Sequence, residues 1–356
     1  MKKFIFLFIL ILINTSYVIP NSPNQEYKLL TDTDASYPPY WSNDSESIYF
    51  NYWNGDSLLL GEINLNNFKI NDITSGAFLS GINPINNNIL CIQVDEANST
   101  KLNILTKEGT FVKTLEIGTQ DYLRPVLSPD GKYVYYAKIG SPYTMSIEKN
   151  VIFDIEINQV AKEFKSNIIR NPRSWSVNNE LLFISSSSSL LKGEDKFTMN
   201  LYSLNLNNGT YKKITENHYV LWGAWSPDGE KIISSIYLTP NSETDLAILD
   251  RNGNILKSFV HPNDRVAYQM PAWSPDGKKI AFIIAESVEG QDYPKYSLGM
   301  IELDPSLQSG PRPDKIPEIK LVTFNVYLYG GIAIGILLLA IAGFLFIRRK
   351  KKNEPK

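Results

Sequence analysis

Cysteine and histidine are almost missing from this chain. Cys91 is the only cysteine in 356 residues, which excludes an intrachain disulfide and leaves stability to packing. Within the apolar run 89–94 this thiol reads as a small buried hydrophobe. His218 and His261 are the only histidines. Two are too few for a multi-histidine metal centre, and no Cys or His cluster has zinc spacing, so neither a metal nor a cofactor is expected. No G-x-S-x-G turn is present, which removes the usual serine-hydrolase signature. A basic surplus is lacking too. Setting aside the two lysines at the start and the six basic residues after position 320 leaves 27 basic against 36 acidic side chains, a net charge near −9. Such a chain has no basic stripe for a phosphate backbone, so nucleic acid is not an expected partner.

Two long uncharged runs stand at the ends. Residues 4–13 follow Lys2 and Lys3 as the apolar part of a secretory signal or N-terminal hydrophobic segment, here bounded at 1–20. The run 321–347 carries no charge and exceeds the ~20 residues that cross a bilayer, and a basic tail, 348–356, follows it. The positive-inside rule therefore predicts a single-pass membrane protein with its C-terminus cytoplasmic and the bulk of the chain outside. Gly331 and Gly335 form a GxxxG pattern that would permit a homodimer through this span.

Between these ends one phrase recurs. Trp273-Ser274-Pro275-Asp276-Gly277 and Trp225-Ser226-Pro227-Asp228-Gly229 are complete copies, and Leu127-Ser128-Pro129-Asp130-Gly131 lacks only the tryptophan. Each joins two β-rich runs through a turn in which proline presets φ and glycine accepts a positive φ. Degenerate copies centre on Ser42, Asn83 and Ser176, so the anchor position falls at 42, 83, 128, 176, 226 and 274. A period of 40–50 residues built of short strands, without amphipathic helical pattern, predicts a β-propeller of six blades. Each unit holds four strands, termed A to D, with the phrase joining A to B.

The sixth unit runs into prolines after strand C and has no strand D. Residues 27–31 copy the D-strand ending of other units, so the expected architecture is an all-β six-bladed propeller over 27–304, closed by the N-terminal strand. A Pro-rich stalk, 305–320, would link it to the transmembrane helix.

The repeat Pro-x-Trp-Ser-Pro-Asp-Gly followed by Lys-x-Ile-Ala-Phe resembles the TolB-like, WD40-like repeat of six-bladed propellers over residues 27–304. The resemblance implies the fold; it does not carry a role with it.

Strands A and B meet on one face of such a ring, which puts the B–C and D–A connections on the other. Longer B–C segments are expected at 139–150, 185–198, 239–244 and 286–295. On the D–A side sit Tyr37, Tyr122, Arg124, Arg173, His218, Tyr219, Trp222 and Tyr268, the residue types that anchor interfaces or stack on sugars, and these are the candidate ligand-binding residues. The repeat tryptophans Trp41, Trp175, Trp225 and Trp273 read instead as packing between blades. Asp32 and Asp34 read as solvated turn carboxylates. Asn43, Asn98 and Asn208 stand in N-x-[ST] triplets as glycosylation candidates. The combined expectation is a surface module that binds or scaffolds an envelope or extracellular protein, peptide or glycan without catalysis. A carbohydrate-active hydrolase or lyase using channel carboxylates, and a structural surface-layer component, are the alternatives.

Overall fold

The computed structural model describes residues 27–319 apart from 32, 95–99, 116–121, 142–145, 167–168, 170, 188–197, 217–218 and 239–242. The expected leader, transmembrane run, basic tail, Gly331 and Gly335 lie outside the described residues. No helix among the described residues is long and apolar enough to cross a membrane.

Six antiparallel sheets follow one another along the chain. Blade one uses Asp34–Ala35 and Tyr40–Trp41 as a broken strand A, then Ser47–Asn54, Ser57–Asn64 and Ile70–Ser75. Blade two comprises Ala77–Ile82, Ile89–Val94, Thr100–Leu105 and Phe111–Leu115. In blade three the strands are Tyr122–Leu127, Tyr133–Ser141, Ser146–Asp154 and Gln159–Phe164. Blade four holds Asn171–Trp175, Glu180–Ser187, Thr198–Asn205 and Tyr211–Lys213. Blade five runs through Tyr219–Trp225, Lys231–Tyr237, Asp245–Asp250 and Ile255–Phe259. Blade six has only Val266–Trp273, Lys279–Glu286 and Lys295–Glu302 from its own repeat, and its fourth strand is Lys28–Thr31. That strand pairs antiparallel with strand C of blade six, Lys28 opposite Met300 and Leu29 opposite Gly299. The strands A touch their neighbours from blade to blade all the way round, blade six meeting blade one. They are therefore the inner strands of a closed ring.

The degenerate repeats keep the turn geometry by other means. Gly131, Gly229 and Gly277 have φ of 70°, 75° and 74°, and positive φ in the degenerate turns is taken by Ser45, Asn179 and, one residue later in its turn, Asn87, at 61°, 59° and 60°. Asparagine tolerates this region better than most residues, which explains two of the three replacements. The serine hydroxyl closes each turn. Ser42, Ser128, Ser226 and Ser274 donate to the aspartate two residues on at 2.5–2.6 Å and accept the N–H five residues on.

Six apolar clusters hold the ring, one at each interface between blades. Trp175 packs with Tyr135 and Ile152 of blade three, Trp225 with Leu182 and Leu201 of blade four, Trp273 with Ile233 and Ile248 of blade five, and Trp41 with Ala281 and Leu298 of blade six. All four indoles are 6–7% exposed, so each repeat tryptophan cements its blade to the preceding one. Buried polar groups stitch the same seams. Asn51, fully buried, donates to the carbonyls of Leu59 and Ala77 and accepts the N–H of Leu79, joining blades one and two.

Two expectations change in detail. The segment 139–150 is largely an extended B–C hairpin, because strands B and C of blade three stay paired from Tyr133↔Asp154 to Ser141↔Ser146. The proline-rich stretch does not project over 305–319 but lies as a strap across the turn face. Ser309 and Arg312 donate their N–H groups to the carbonyls of Gly277 and Pro275 in blade six. Gly310 N–H donates to Asp228 Oδ2 at 2.7 Å, and Lys231 Nζ donates to the carbonyls of Leu307 and Gln308, in blade five. Arg312 reaches the carbonyl of Pro84 in blade two, Asn179 of blade four donates to Pro317 O at 3.0 Å, and Ile319 is buried between blades three and four. Prolines cannot donate to a ladder. Fixed on the turns, the strap instead pairs the N–H groups of Ser309, Gly310 and Arg312 with blades five and six.

Candidate binding face

The inner strands share an irregularity that shapes the channel wall. Their pairing with strand B shifts at Leu79/Gly81, Leu123/Val126, Pro172/Ser174, Val220/Trp222 and Gln269/Ala272, while in blade one strand A breaks altogether. Each shift leaves one or two residues out of the ladder, and a β-bulge re-aims the side chain it carries. Arg173 and Leu221 are such residues. Arg173 donates from Nη2 to Leu221 O at 3.0 Å across the seam between blades four and five, and its guanidinium lies 4.0 Å from the Trp222 ring centre. The carbonyl freed by one bulge is thus satisfied by the side chain turned out of the other. Nε and Nη1 of Arg173 are buried and lack a hydrogen-bond partner among the described residues.

Nearer the D–A rim, Tyr219 meets Tyr237 edge to face at 5.3 Å. The two residues are paired at the ends of strands A and B of blade five. Tyr37, in the break of strand A of blade one, meets Phe78 of blade two in the same manner at 5.4 Å, and burial pushes its phenol above the ordinary tyrosine range. All of Tyr37, Arg173, Tyr219 and Trp222 are half-buried. The structure therefore brings Arg173, Trp222 and Tyr219 onto adjoining inner strands and sets Tyr37 at another blade junction.

The remaining candidates divide. Tyr268 is not a rim residue: at 3% exposure it is core, edge-on to Tyr27 and Phe282 between blades five and six. Its place in strand A, opposite Ile284, turns the ring into the sheet interface, which residue type alone does not reveal. Tyr122 and Arg124 belong to strand A of blade three, Tyr122 opposite Lys138, and their side chains fall outside the described part. His218 lies outside the described residues, as do Asn98 and Asp32. Asn43 is half-buried in the blade-one turn with its N–H donated to Asn87 Oδ1, whereas Asn208 is exposed in a C–D turn and accepts from Thr210.

One polar pair on this side has no sequence signal. His261 and Asp245 are sixteen residues apart, yet the imidazole Nδ1 stands 2.5 Å from Asp245 Oδ1, with side-chain exposures of 6% and 3%. The His261 N–H donates to the same carboxylate at 2.8 Å. The pair fastens the D–A connection of blade five to the start of its strand C. Among the described residues no three His, Cys, Asp or Glu side chains gather as a metal set would require.

Compared with known proteins, the sequence matches no family model and no curated relative. Solved structures do match. The putative TolB from Agrobacterium tumefaciens superposes with a TM-score of 0.51 at 16% identity, covering 75% of this chain and 90% of that one. The calcium-binding protein regucalcin from the same organism gives 0.54 at 12% identity, covering 81% and 96%. At these identities the likeness is one of fold, and the chain is a six-bladed β-propeller with a TolB-like structural neighbour.

Proposed function

We propose that this propeller is a membrane-anchored binding module, presented outside the cell, whose D–A and B–C face receives a protein, peptide or glycan of the envelope or surroundings. The observation that carries the reading is the course of the strap. It crosses the turn face from blade six to the seam of blades three and four and ends at Ile319, two residues before the apolar run 321–347. A span beginning there sets the turn face toward the bilayer and the opposite rim away from it. On that rim side the inner strands and the break in blade one offer half-buried aromatic and arginine groups, Tyr219, Trp222, Arg173 and Tyr37, the types that dominate binding energy at interfaces.

Affinity capture from native envelopes with the full chain tests this against the double variant Tyr37→Ala, Tyr219→Ala, with a melt showing that the variant is folded. A partner retained by the native chain and lost by the variant is expected. Equal capture by the two would overturn the assigned face.

A further inference from the structure

One slot recurs where strand A ends. Trp41, Trp175, Trp225 and Trp273 close their inner strands opposite Ile48, Leu181, Ile232 and Ile280, and in blade three Leu127 does so opposite Val134. A lysine marks the same seam twice. Lys212 of blade four donates to the carbonyl of Arg251 in blade five, and Lys113 of blade two donates to that of Ile155 in blade three. The two–three seam therefore corresponds position by position to the four–five seam. Leu127 replaces Trp225, Ile155 replaces Arg251, and Ile104, opposite Leu90, replaces Ser203, opposite Leu182.

These replacements enlarge the slot and make it more apolar. The cleft beside Trp225 measures about 140 Å³, and the one beside Leu127 about 230 Å³. Leu90, Ile104, Leu127 and Ile155 line it, and Lys113, Lys132 and Glu156 stand at its wall. In two of the four filled slots a cation accompanies the indole: Arg251 lies 5.2 Å from the Trp225 ring and Lys279 lies 5.9 Å from that of Trp41. Here Ile155 stands where Arg251 does and Leu127 where the ring does. The chain's other tryptophans are engaged elsewhere, Trp222 under Arg173 and Trp53 on strand B of blade one.

We propose that the cleft between blades two and three is a binding site for an indole side chain, the tryptophan of a partner polypeptide completing the packing that Leu127 leaves open. It lies on the turn side of the ring and does not depend on the face assigned above. Apolar lining supplies the affinity.

The test titrates N-acetyl-tryptophanamide into the detergent-solubilised full chain carrying labelled Ile and Leu methyl groups. Saturable shifts at Leu90, Ile104, Leu127 and Ile155 are expected, with N-acetyl-leucinamide binding at least fivefold more weakly. Leu127→Trp fills the cleft from within and should weaken the ligand at least tenfold. Ile155→Trp does so from the other wall should the first variant misfold. Shifts absent or centred elsewhere, leucinamide binding as tightly, or undiminished binding by either folded variant would overturn the site. If neither variant folds, the methyl map and the leucinamide comparison decide.

Discussion

Truncating Tyr27 to alanine probes the closure of the ring with one side chain. Tyr27 sits just before the closing strand and meets Tyr268 at 5.6 Å and Phe282 at 5.8 Å, both edge to face, while Leu29 packs on the same cluster. Each aromatic pair is worth about 0.5–1.5 kcal/mol beyond burial. A fully buried aromatic truncated to alanine costs about 3–5 kcal/mol, and the half-buried Tyr27 falls somewhat below that, near 2–4 kcal/mol. With a urea m-value of about 3 kcal/mol/M the midpoint should fall by roughly 1 M. Equilibrium unfolding followed by tryptophan fluorescence reads the shift, and Tyr293→Ala, at an 81% exposed position of the same blade, is the control that should not move. Deleting 27–31 should go further and broaden the transition, since it strips strand C of blade six of its outer partner. A Tyr27→Ala midpoint equal to that of Tyr293→Ala would refute the clasp.

Three further expectations concern other seams. Gly253 has φ of 85°, and a Cβ there would stand 2.0 Å from the Ile214 carbonyl oxygen of the preceding blade; Gly253→Ala should therefore cost more than about 2 kcal/mol by thermal or urea unfolding, through backbone strain and clash. Burial pushes the Cys91 thiol up to about 12, so a thiol reagent at pH 8 should leave the native chain unlabelled and modify one equivalent in urea. Burial lowers the Lys162 ammonium to about 8, well under its unfolded value. The unfolded chain then binds more protons above pH 8, and stability should rise from pH 8 to 9.5, below the range where raised tyrosines oppose it. Lys162→Met should flatten that slope in urea midpoints taken across the same window.

Architecture was legible in the sequence because its signal is redundant. Six anchors at near-constant spacing expose the repeat even where Asn83 or Ser176 has lost its neighbours, and the absent sixth strand D points to residues 27–31. The binding face was less legible, because residue type does not say which way a ring points. Tyr268 and Tyr219 both lie early in inner strands, yet one is core and the other half-buried. The bulges that turn Arg173 and Leu221 out of the ladder are a register property with no composition of their own. The His261–Asp245 pair joins positions that no local pattern links. The strap escaped for a related reason, since prolines announce extended chain but not the surface against which it lies. Leu127 was visible as a substitution within the repeat, and only the geometry of the seam turns that substitution into a cavity.

The closing strand also sets an order of events. Lys28–Thr31 is made among the first residues and pairs with partners near residue 300, so its contact spans nearly the whole propeller. Long-range pairing of this kind is slow, because the loop must close before any bond rewards it. Until blade six exists, the nascent chain carries a strand with no partner, and its last sheet ends in an open edge. Synthesis and folding are therefore decoupled at this one joint. A chain arrested before residue 295 has every blade but the last and no means of locking them.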